Sequence, residues 1–122
     1  MKTKNFFDVF LVVSAAIFIT ACYKNKNAYN SPNTNSYAIT MKNSNFSPAS
    51  LAVTTGSIII WTNDDNTVHT VTATDGSFNS GDIAVGSSYT KTFSSAGTFN
   101  YHDDHNTNMT GVLIITGSAG GY

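Results

Sequence analysis

From Tyr37 to Thr116 apolar and polar residues alternate in short bursts, separated by Gly and by Asn-Asp clusters. A period of two places neighbouring side chains on opposite faces of an extended strand. "YAITMK" alternates, "SLAVTTG" keeps Leu51 and Val53 in register before a turn, and "TGVLIITG" closes the pattern. "SIIIWTN", Ser57 to Asn63, is a continuous apolar run and predicts a strand buried on both faces. In "HTVTATDG" the threonines at 70, 72 and 74 share one face, and His69, Val71 and Ala73 share the other. "SSYTKTF" sets Tyr89, Lys91 and Phe93 against threonines, after a turn at Gly86. "AGTFNYHD" sets Thr98, Asn100 and His102 against Phe99, Tyr101 and Asp103. About seven to eight short strands without an amphipathic helix predict an all-β Greek-key β-sandwich over residues 37–117.

The same period assigns faces. His69 continues the apolar side of its strand, and Asp103 continues the side of Phe99 and Tyr101, whereas His102 points outward. Trp61, Phe93, Phe99 and Tyr101 are expected in the core. Asp64 and Asp65, flanked by Asn63 and Asn66, read as turn residues.

The N-terminal segment follows another rule. Lys2 and Lys4 precede the apolar run Val9 to Ile19, which is too short to cross a bilayer comfortably; Asp8 departs from the usual pattern. This is the form of a secretory signal over residues 1–21. "ITAC", Ile19 to Cys22, resembles the lipobox of bacterial lipoproteins, which implies lipidation of Cys22 and a membrane-anchored protein of the cell envelope. Polar, Asn-rich residues 22–36 read as a flexible tether, and 118–122 as a disordered tail. Cys22 is the only cysteine, so no disulfide forms within the chain and, once it is lipidated, no thiol is left. Beyond the signal there are four Lys, no Arg and six Asp without a charge run, which argues against nucleic acid as a partner. A monomer is expected.

The chemistry concentrates in "YHDDHNTNMTG", Tyr101 to Gly111. Together with "FSPASLAVTTGSIIIWTNDD", "HTVTA", "FNSGDIAVGSSYTKTFSSAGTFNYH" and "MTGVLII", it resembles the cupredoxins, the blue-copper family that includes plastocyanin, pseudoazurin and amicyanin. The resemblance implies a cupredoxin-like sandwich, copper binding and electron transfer. It places one His ligand at His69 and the others on a Cys-x-x-His-x-x-Met loop preceded by Tyr-His and followed by Gly. On that frame the Cys position is Asp103, the His position is Asn106, and the Met is Met109; His105 lies one residue early.

A blue centre needs a thiolate in a trigonal His₂Cys plane. Asp103 supplies a harder donor that suits Cu(II) or Zn(II). Two readings stay open. In one, His69, Asp103 and His105, with Met109 weak or absent, hold a divalent metal at a non-blue, type 2-like site, copper ahead of zinc; Asn106 can offer only an amide oxygen, and Asp104 is a stand-in should the register slip. In the other, Asp103 pairs with His69 without metal, since either buried alone would cost roughly 2 kcal/mol or more. Three functions correspond: metal binding with a metal-delivery partner, residual electron transfer with a redox partner, or a metal-free module that docks a partner protein. No phosphate loop, metalloprotease helix or spaced carboxylate dyad supports an enzyme.

Overall fold

The computed structural model describes residues 35–119. The signal segment, Cys22 and nearly all of the tether lie outside them, as does most of the tail. Eight strands form: β1 (Ser36–Lys42), β2 (Asn45–Ser47), β3 (Ser50–Thr54), β4 (Ser57–Asn63), β5 (Thr72–Ala73), β6 (Ser88–Phe93), β7 (Gly97–His102) and β8 (Thr110–Thr116). They build two four-stranded sheets, ordered β2-β1-β4-β6 and β3-β8-β7-β5. The all-β sandwich is as expected. Each sheet also holds one parallel pair, β1 with β4 and β3 with β8, which alternation alone does not foretell.

Period two holds along most strands. In β4 Ser57, Ile59, Trp61 and Asn63 are buried, while Ile58, Ile60 and Thr62 are only half-buried. The expectation of burial on both faces is therefore corrected: among the described residues the outer face of this strand is only partly covered, as in a two-layer sandwich. The strand expected from His69 to Gly76 shortens to Thr72–Ala73, with His69 pairing Ile83 through an isolated bridge instead.

Trp61 anchors the core. Its ring lies 5.6 Å from Tyr89, 5.8 Å from Tyr101 and 6.4 Å from Phe93 between centroids, so both sheets converge on one indole. Burying a side chain of this kind is worth roughly 1.5–3 kcal/mol. The price is polar: among the described residues, neither the buried Trp61 Nε1 nor the buried Tyr101 hydroxyl meets a hydrogen-bond partner. Burial pushes the Tyr101 hydroxyl up to about 12.

Three irregular segments meet at one end of the sandwich. Residues 63–69 leave β4, 69–71 lead into β5, and 103–109 join β7 to β8. Asn63, fully buried, organises the first: its Nδ2 donates to the carbonyls of Thr67 at 2.8 Å and Ile83 at 2.9 Å, and its Oδ1 accepts the Asp65 amide at 3.0 Å.

Candidate functional site

His69 and Asp103, placed inward by strand parity, meet. The His69 ring is 3% exposed and Asp103 is 0% exposed. His69 Nδ1 and Asp103 Oδ2 are 2.7 Å apart. Asp103 Oδ1 accepts the Thr70 amide at 2.8 Å and the His105 amide at 3.1 Å. The carboxylate thus has three donors, as a buried charge requires. Burial alone would raise its carboxyl, but the bonds from His69, Thr70 and His105 outweigh it and hold it below the ordinary carboxylate range.

The other ring nitrogen is also taken. His69 Nε2 lies 3.1 Å from Asp65 Oδ2 and 3.3 Å from Thr67 Oγ1. Asp65 Oδ2 accepts the Ser44 amide at 2.8 Å and Oδ1 the Asn66 amide at 2.9 Å. Those two amides, with a smaller contribution from His69, hold the Asp65 carboxyl below its usual value. Asp65 is therefore both the turn residue expected and the second partner of His69, a role the turn reading missed. The available signal was the demand of a buried imidazole for a partner at each nitrogen.

The loop places the remaining candidates. Met109 is buried, with its carbonyl accepting the Asp103 amide at 3.0 Å. Asn106 is half-buried, its amide donating to the Asp103 carbonyl at 3.3 Å and its carbonyl accepting the Met109 amide at 2.9 Å. The expected grouping of the His105 imidazole with His69 and Asp103 is corrected. Its side chain is 50% exposed and pairs with Asp82 at 2.7 Å, and only its backbone amide reaches Asp103. The bond to Asp82 raises the His105 imidazole above its usual value. Asp104 turns to Thr72 Oγ1 at 2.8 Å and to His102 Nε2 at 3.2 Å.

Among the described residues no group of three His, Cys, Asp or Glu side chains is arranged to hold a metal ion. Asp65 and Asp103 lie at opposite nitrogens of one ring, so their oxygens do not converge on a common point. The thiolate-based blue centre does not fit either: its Cys and second His positions carry a carboxylate and an amide. What the arrangement does chemically is hold a buried imidazole between two carboxylates, linking the segments at 44, 65–69 and 103–109.

Residues 11–115 match the family described as cupredoxin-like domain. Among solved structures, the Cu(I) form of an amicyanin variant is similar at 20% identity and a TM-score of 0.63, over 66% of this chain and 82% of that one. A purple cupredoxin from Nitrosopumilus maritimus is similar at 22% identity and a TM-score of 0.61, over 65% of this chain and 98% of that one. These likenesses are of fold. None of the curated proteins matches.

Proposed function

We propose that this chain, which belongs to the cupredoxin-like family, is a member in which an internal hydrogen-bonded Asp65–His69–Asp103 set stands in place of the redox copper, and that it works as a metal-free binding module. The family usually binds copper and transfers electrons. The observation that carries the departure is His69, whose two ring nitrogens sit 2.7 Å and 3.1 Å from the carboxylates of Asp103 and Asp65. A ligand imidazole must offer one nitrogen to the metal, and here each ring nitrogen already lies within hydrogen-bond distance of a carboxylate oxygen.

The test is a titration of the full chain carrying Cys22→Ser, which removes its only thiol, with Cu(II) and with Zn(II). Equilibrium dialysis is expected to show no stoichiometric binding. One tight equivalent of Cu(II) with nitrogen coupling in the EPR spectrum would sink the reading.

A second reading, a divalent ion at a non-blue site, is favoured by one feature. Two donor atoms 2.7 Å apart are also at the spacing of adjacent ligands about 2 Å from a single ion. It needs a third donor, and hence release of His105 from Asp82. The same titration decides between the two.

Export and anchoring belong to the proposal too, supported by the run Val9 to Ile19 and the sequence Ile19 to Cys22. In a bacterial host grown with labelled fatty acid, the parent chain is expected to incorporate the label and Cys22→Ser is not. Equal labelling of the two, or none in either, would remove the lipid anchor from the account.

A further inference from the structure

Lys91 stands where strand parity calls for an apolar side chain. On β6 it alternates with Tyr89 and Phe93 in the row that faces the core, directly opposite the fully buried Ile59 of β4. Lys91 is half-buried, and its Nζ lies 5.7 Å from the Phe78 ring centroid and 5.5 Å from that of Phe93, within cation–π range. The four ion pairs among the described residues all use histidine, so none of those carboxylates pairs with this ammonium. Asp75, two residues before Ser77, is held instead by the Ser77 amide at 2.9 Å.

β6 is an outer strand of its sheet, and an inward charge is one way an edge strand is kept from pairing with other chains. That role needs only the charge. It does not account for the space beside it, a cavity of about 170 Å³ lined by Lys91, by the rings of Phe78, Phe93 and Phe99, and by Ser94 and Ser95. The lining selects a ligand. An ammonium and two serine hydroxyls donate to an anion. Three phenylalanines give a hydrated inorganic anion nothing in return for the water it loses, but they bury an aromatic ring in edge or offset contacts. The volume lies below the roughly 300–1,000 Å³ of sites for drug-sized ligands, which limits the body to a single ring.

We infer that this cavity binds a small aromatic carboxylate, with the carboxylate on Lys91 and the serine hydroxyls and the ring against Phe78, Phe93 and Phe99. None of these residues belongs to the Asp65–His69–Asp103 set, so the inference stands or falls apart from the function proposed above.

The full chain with Cys22→Ser, carrying isotope-labelled lysine, is titrated with benzoate and followed by NMR. The Lys91 ε-methylene signal should shift and saturate with a Kd of about 1 mM, the order expected of a ligand with so few atoms. Benzamide, of the same shape but neutral, should bind about 10-fold more weakly or worse, the worth of a charge-assisted hydrogen bond. Inorganic phosphate should give no saturable shift. Lys91→Gln should weaken benzoate by about 10-fold or more, read from the ring signals of Phe78 and Phe99. In the parent alone, the inference is overturned by the absence of a saturable shift with benzoate, or by benzamide or phosphate binding as tightly as benzoate. A folded Lys91→Gln that binds benzoate as tightly as the parent overturns it too, and leaves Lys91 as a guard of the β6 edge.

Discussion

Asp103→Ala is expected to destabilise the domain by about 3 kcal/mol or more, because each buried donor left without its acceptor costs about 1–3 kcal/mol. The loss is not one bond. The substitution leaves His69 Nδ1 and the Thr70 amide without acceptors in a buried setting, and the His105 amide loses its anchor as well. Urea unfolding near neutral pH should show a lower midpoint with an unchanged slope, the sign of altered stability without an altered denatured state. Asp103→Asn keeps one acceptor oxygen and should fall between parent and Ala. Replacing both partners, Asp103→Leu with His69→Phe, should recover much of the loss, because a well-packed apolar pair often equals a buried ionic one. Strict additivity of the two single losses in that double variant would show that the residues are not coupled.

The same pair sets the response to acid. The Asp103 and Asp65 carboxyls are both held below their usual values in the fold. Depressed carboxyls contribute stability that is present above the unfolded value near 3.9 and is lost as pH falls through the folded values. The parent should therefore lose stability below about pH 4, and Asp103→Ala should show a shallower acid limb. An identical acid limb in the two proteins would place the relevant protonation elsewhere.

How much of this was legible in the sequence depended on whether a residue sits in a periodic segment. His69 and Asp103 extend strand-like alternations, so parity alone turned both inward, and the structure joins them at 2.7 Å. Asp65 lies in a turn, where no period assigns a face, and its bond to His69 depends on how Asn63 folds the segment back through Thr67 and Ile83. The direction of His105 was undecidable for a similar reason. Backbone bonds from 103 to 106 and from 106 to 109 turn position 106 toward the half-buried side and leave 105 to find Asp82. The parallel pairs β1–β4 and β3–β8 join segments distant in sequence, which local patterning does not encode.

Gly111→Ala is the second large effect, expected at or above the roughly 3 kcal/mol that marks the upper end of ordinary overpacking. Gly111 pairs with Tyr101 across β7 and β8, and the Tyr101 ring folds over the glycine so closely that a Cβ there would run into the ring and its hydroxyl. The ring has nowhere to retreat. Tyr101 is 1% exposed, with Phe46 at 4.8 Å and Trp61 at 5.8 Å between centroids. A tightly packed interior transmits such strain instead of absorbing it. If the clash is with the ring, Tyr101→Leu should lower the cost of Gly111→Ala, with a coupling of about 2 kcal/mol in a double-mutant cycle. An equal cost in both backgrounds would refute the ring contact as its cause. The consequence reaches the site, because this pair clamps β7 to β8 on either side of loop 103–109. The Tyr and the Gly that frame the loop motif are thus explained by packing and not by metal chemistry. The packing of this pair holds β7 against β8 at both ends of loop 103–109 whatever side chains the loop carries.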